Sequence, residues 1–171
     1  VGQAIGMKDE AAARSFATHN LTLSLIISAV WAIILFTFAP FIIRFYELKE
    51  HIASDAINYL RIVSTAFPFV FMSAAFTGIF NAGGRSKIPF TINGIGLIIN
   101  MILDPLFIFV FDWKTDGAAL ATWLAQACVF GLFVYQLKFK KILWDDFRFF
   151  SRLKRVYTTK IVKIGFPVAT L

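Results

Sequence analysis

Over most of its length this chain lacks charge. Four stretches, Ser15 to Ile43, Ile62 to Gly84, Ile88 to Phe111 and Gly117 to Leu137, hold among them a single Asp, Glu, Lys or Arg, and that residue is Asp104. Charged residues make up 16% of the chain and apolar ones 58%, with a mean hydropathy of +0.73. A soluble domain carries about 25% charged and 45–50% apolar residues, so the composition does not fit one. Cysteine is nearly absent: Cys128 has no mate, which excludes an internal disulfide, and it reads as a small buried apolar residue within a span. Catalytic signatures are missing as well. No HExxH, GxSxG or CxxC occurs, and Gly94 to Ile99 (GIGLII) lacks the third glycine and the preceding strand of a dinucleotide site. No nucleophile and base pair can be drawn, which argues against an enzyme. His19 and His51 stand too far apart in sequence to suggest a metal pair. The chain opens on Val1 with no short apolar run and basic flank, so no signal peptide is expected, and Lys160 to Leu171 turns apolar as though a fifth span began there. It reads as a piece of a longer protein.

What is present is length. The charge-poor stretches run 21 to 29 residues, enough at about 1.5 Å per residue to cross a hydrocarbon core of about 30 Å. Backbone groups in lipid must be satisfied within their own segment, and alternation of the transmembrane-strand type is absent, so the spans are expected to be helices. The fold class that follows is all-α, a polytopic helical bundle in a lipid bilayer.

The basic residues orient it. Val1 to Arg14, the Gly83 to Lys87 turn and the tail after Leu137 share one side and hold Lys8, Arg14, Arg85, Lys87, Lys138, Lys140, Lys141, Arg148, Arg152, Lys154, Arg155, Lys160 and Lys163, thirteen of seventeen basic residues. Arg44, Lys49 and Lys114 lie opposite, with Arg61 inside the start of the second span, where snorkelling to the outer interface is the simplest reading. The positive-inside rule places the thirteen in the cytoplasm of a plasma (inner) membrane. The net charge of +7 is mostly this asymmetry, and no nucleic-acid partner is implied. In the tail, Leu143, Phe147, Phe150, Leu153 and Tyr157 recur at helical spacing among Arg148, Arg152 and Arg155, the pattern of a helix in a membrane interface or of a basic linker. Pro40 and Pro68 are expected to kink their helices, with Ser64 and Thr65 available to satisfy backbone groups freed at Pro68.

The candidate site lies in the third span. A carboxylate at a helix centre costs about 2.5–3.5 kcal/mol on insertion scales, so Asp104 calls for a partner, an ion or a task. At 100° per residue Asn93, Asn100 and Asp104 fall within an arc of about 40°. Pro105, lacking an N–H, leaves the Met101 carbonyl without its usual donor. In an antiparallel hairpin Asp104 and Thr122 reach depths of about 10 and 8 Å below the outer helix ends, so their side chains can meet. Gln126, a turn below Thr122, extends the polar surface. Carboxylate, amide, hydroxyl and carbonyl oxygens suit a small hard cation, and desolvation also suits a lone carboxylate to carry a proton. The bland alternative is interhelical hydrogen bonding by Asn93 and Asn100 with Asp104 as partner.

On these residues the chain resembles the multidrug and toxic compound extrusion (MATE) family of secondary transporters. The likeness runs in order through VGQAIGMKDE (Val1 to Glu10), NYLRI (Asn58 to Ile62), NAGGRSKIP (Asn81 to Pro89), NMILDP (Asn100 to Pro105), GAALAT (Gly117 to Thr122) and GFP (Gly165 to Pro167). It departs at Arg85, where the family usually has an acidic residue. The resemblance implies most of one six-helix lobe of a twelve-helix transporter: 1–137 as N-terminal lobe from the end of helix 2 through helix 6, 138–159 as cytoplasmic inter-lobe linker and 160–171 as the start of helix 7. It implies antiport of organic cations or other amphipathic compounds against sodium ions or protons, with the remaining half of the transporter as partner. Asn100, Asp104 and Thr122 match three members of the family's N-lobe ion site, and the fourth, a helix 1 aspartate, falls outside the chain. The competing readings are a lipid or glycolipid flippase of the same superfamily and a non-transporting membrane structural subunit.

Overall fold

The computed structural model describes residues 1–140, 143, 144, 147, 149, 156–159 and 161. Its elements are α1 (Gly2–Gly6), α2 (Glu10–Arg44), α3 (Glu50–Ala82), α4 (Lys87–Pro105), a π-helical segment (Leu106–Val110) and α5 (Lys114–Lys138). Four units are long and apolar enough to cross a membrane: Glu10–Arg44, Glu50–Ala82, Lys87–Val110 and Lys114–Lys138. Short connections make neighbouring helices antiparallel. Glu10, Ala82, Lys87 and Lys138 therefore share the end where the basic residues gather, called here the basic end.

Local chemistry sets the boundaries. Asp9 caps α2, its carboxylate accepting from the Ala12 N–H at 2.9 Å, which satisfies one of the orphan donors of the first turn. Lys8, Glu47 and Asp112 hold positive φ in the connections, as do Gly84 in the turn between α3 and α4 and Lys114 at the first position of α5. The second span begins earlier than its apolar stretch. Helix α3 adds the polar turns from Glu50 to Asn58 ahead of Arg61, because helicity continues into the interface while low charge marks only the lipid-facing part.

The prolines differ in their surroundings. Helices α2 and α3 run through Pro40 and Pro68 as single elements. Ser64 and Thr65 donate to the Arg61 and Ile62 carbonyls, both at 2.7 Å; the carbonyl that Pro68 frees is that of Ser64. The third span, read as one α-helix to Phe111, changes at Pro105 to the π-helical Leu106–Val110. Loss of the Pro105 donor breaks the i→i−4 ladder, and the wider turn takes up the register. Cys128, expected to be buried, is exposed. A thiol that behaves as a small hydrophobe needs no protein neighbours in a membrane.

Helices α3 and α5 form the centre, and α2 and α4 flank them. Of their most apolar windows, 39% of α3 and 33% of α5 are buried, against 11% for α2 and for α4. The core lies toward the basic end, where Leu21, Met72, Phe76, Ile79, Phe80, Phe133 and Leu137 are fully buried. Phe133 stacks on Phe76 with centroids 5.6 Å apart and tilts against Phe80 at 5.9 Å. Such ring contacts add about 0.5–1.5 kcal/mol each beyond area. Of the tail residues expected to line an interfacial helix, Phe150, Leu153, Arg148, Arg152 and Arg155 lie outside the described residues. Leu143 and Phe147 pack against the core, Trp144 is buried, and Tyr157 meets Phe16 edge-on at 4.9 Å.

Candidate functional site

The polar stripe of α4 faces α5. Asn93, Gly96, Leu97 and Asn100 from α4 and Thr122, Ala125, Gln126 and Val129 from α5 line a pocket of about 250 Å³. Small residues make the approach possible. Gly96 and Ala125 are buried, and a Cβ on Gly96 would run into the Val129 side chain.

The hydrogen bonds there are few and long. The Asn100 Nδ2 donates to Asp104 Oδ1 at 3.4 Å, and the Asn93 Nδ2 donates to Thr77 Oγ1 of α3 at 3.5 Å. Both sit at the weak end of the range, so neither residue is locked. The Thr122 hydroxyl donates to the Ala118 carbonyl at 3.1 Å, which commits its proton and leaves its oxygen as an acceptor. Asn100, by donating from its nitrogen, likewise keeps its carbonyl oxygen for another group.

Of the residues singled out in sequence, Asn93, Asn100, Thr122 and Gln126 come together on one pocket. Asp104 is half-buried and tied to it through Asn100; among the described residues Asp104 and Thr122 share no hydrogen bond. Met101 is 65% exposed and does not line the pocket, so its contribution is confined to the carbonyl that Pro105 cannot reach. Thr77 was not legible: one hydroxyl in an apolar span gives no signal until α3 is laid beside α4.

The pocket's polar groups are amides and a hydroxyl, the Asp104 carboxylate is joined to them through Asn100, and among the described residues no three of His, Cys, Asp or Glu converge. That disfavours the nitrogen and sulfur sites of transition metals. His19 is buried in α2, its Nδ1–H donating to the Ser15 carbonyl at 2.7 Å, with its ring 4.7 Å from that of Tyr157.

Known proteins resemble this chain in sequence and fold. The MatE family model matches residues 1–106. The probable multidrug resistance protein YoeA of Bacillus subtilis is 29% identical over 99% of this chain and 38% of its own length. The multidrug resistance protein NorM of Vibrio cholerae is 26% identical over 90% of this chain and 35% of its own. Among solved structures, the inward-facing conformation of a multidrug resistance MATE family transporter of the MOP superfamily superposes with a TM-score of 0.89 at 26% identity, over 97% of this chain and 38% of that one. An outward-facing conformation of such a transporter gives 0.88 at 27% identity, over 97% and 37%. The chain thus spans less than two fifths of the length of these relatives, and it belongs to the MATE family of multi-pass membrane transporters.

Proposed function

We propose that this chain forms most of one lobe of a cation-coupled antiporter that exports organic cations or other amphipathic molecules in exchange for sodium ions or protons. The observation that carries the reading is the one intramembrane carboxylate, Asp104, hydrogen-bonded to Asn100 on the rim of a pocket shared with Thr122. An ionised carboxylate at that depth is stabilised by a cation; without one, taking up a proton removes the charge. The two coupling ions are therefore two ways of meeting one electrostatic demand. Asn100 and Thr122 supply neutral oxygens for sodium, and Asn100 supplies a donor to the carboxylate. On this reading an aspartate from a preceding helix completes the set, residues 138–159 join the lobes, 160–171 begins the next one, and the basic end faces the cytoplasm. Ion and substrate then act by differential affinity for outward-open and inward-open states. Similar TM-scores against inward-facing and outward-facing structures, 0.89 and 0.88, fit a lobe that turns as a unit.

A flippase would want cations for phosphate headgroups in its cavity, and among the described residues no Lys or Arg lines the Asn100 pocket. The test uses the intact protein. Asp104→Asn is expected to abolish ion-driven drug efflux while leaving the protein folded. Raising sodium or lowering pH is expected to raise the wild-type melting temperature, by about 2.7 kcal/mol of stability at a hundredfold excess over Kd, and to leave the variant unmoved. Unchanged coupled efflux in the variant would sink the assignment.

A further inference from the structure

A second polar feature lies on another face of the bundle. Arg61 sits on α3, one turn below the polar run from Glu50 to Asn58. Its guanidinium carbon lies 5.5 Å from the centre of the Phe36 ring of α2. With Ile62, Thr65, Leu120 and Trp123 the two residues line a pocket of about 380 Å³. Leu120 and Trp123 come from α5, but from a side about 110° around the helix from Thr122 and Gln126, so this pocket is separate from the first.

Among the described residues no carboxylate forms an ion pair with this cation. Its Nε is buried without a hydrogen-bond partner. The ion pair found among the described residues is Arg14 with Glu10, at the far end of the bundle. The hydroxyl lining the pocket, that of Thr65, donates to the Ile62 carbonyl. Arg61 as a whole is half-buried, but its fork of donors suits an anionic partner with paired oxygens. The face of one phenyl ring is only a partial substitute for one. The pocket suits an anion with two adjacent oxygens to meet the guanidinium fork and an apolar body to cover Phe36, Leu120 and Trp123.

We propose that Arg61 and this apolar wall hold a membrane phospholipid, phosphate on the guanidinium and acyl chain along Phe36, Leu120 and Trp123. Position supports a lipid over a soluble anion. Side chains on a helix lean toward its N-terminus, so Arg61 reaches toward the outer interface, where phosphates lie. Tryptophan beside arginine is the usual anchoring pair at that depth. Three of the other lining residues offer no hydrogen-bonding group, which a free phosphate would need for its remaining oxygens.

Native mass spectrometry of the intact protein in detergent tests this, with added phosphatidylglycerol, diacylglycerol of the same chains, or inorganic phosphate. The wild type is expected to retain one tightly held phosphatidylglycerol, and Arg61→Gln to lose about tenfold in its affinity, the scale of one charge-assisted contact. Arg61→Lys, which keeps the charge and loses the fork, should fall between them, and it serves if the glutamine variant does not fold. Trp123→Leu should weaken the lipid less than Arg61→Gln. Equal retention by wild type and both Arg61 variants overturns the proposal, as it would if a carboxylate elsewhere in the protein were the true counter-ion. So does equal binding of diacylglycerol, or displacement of the lipid by inorganic phosphate at matching concentration, which would assign the site to a soluble anion.

Discussion

The two ends of this bundle are built from different materials. At the basic end, where α2 starts and α3 and α5 finish, Leu21, Phe76, Phe80, Phe133 and Leu137 interlock with almost no exposed surface. Toward the opposite end α3, α4 and α5 carry Arg61, Asp104 and Thr122, and α4 gives way to a π-helical turn at Leu106. Lipid is as apolar as leucine, so burial from water does not drive association of the spans; close packing does. Rings and alanines provide that packing at one end. Polar groups replace part of it at the other, around the Asn100 and Arg61 pockets. One end is closely packed and the other is lined by polar side chains.

Substitutions can break that contrast, with Phe76→Ala expected to act most strongly. It empties the centre of the ring cluster and should destabilise the intact protein by about 3 kcal/mol, the low end for such truncations because lipid replaces water as the competing solvent. Denaturant titration in detergent measures it, and the stabilisation by sodium or acid should survive. Gly96→Val acts on the boundary between the halves. The added side chain meets Val129, so a cost of about 1–3 kcal/mol is expected, with loss of the ion-dependent shift as the pocket closes; Val129→Ala on the same background should restore much of both. If the double variant is no better than the single, the contact is not what limits the pocket. Thr77→Val should act least. It removes the long bond from Asn93, and about 0.6 kcal/mol is the usual worth of such an interhelical bond. A loss several times larger would mean that α3 and α4 are held there far more firmly than 3.5 Å implies.

The sequence exposed the spans because lipid imposes a one-dimensional rule, long runs without charge, that needs no knowledge of neighbours. It was less informative where the rule stops. Helix α3 starts at Glu50, twelve residues before the charge-poor stretch that marked it, since polar turns are equally helical outside lipid. Likewise Pro105 announced a lost donor, but a kink, a break and a π-helical turn are all local answers to it, and Gly117 of α5, seated against the Phe107 backbone, belongs to the packing that accompanies this one. Cys128 showed the same limit, because an apolar residue in a span satisfies lipid and core alike.

For the candidate site, the 3.6-residue period was enough to align Asn93, Asn100 and Asp104, and hairpin depth was enough to nominate Thr122. Those are properties of one helix or of two neighbours in sequence. Which groups share a pocket depends instead on how far each helix is rotated and how near its partner comes. Gly96 against Val129 sets that approach, bringing Gln126 and Thr122 to the asparagines, while Asp104 is reached through Asn100. Arg61 makes the point most sharply. Its sequence position gave a cation near an interface, but the Phe36 ring beneath it and the Trp123 wall beside it come from helices 25 and 62 residues away. The sequence by itself determined that this protein's spans belong in a membrane and that they hold one carboxylate, Asp104. Only the tertiary structure decided which polar groups gather beside it and which rings flank the arginine, because those depend on helix rotation and contact distance rather than on the order of residues along the chain.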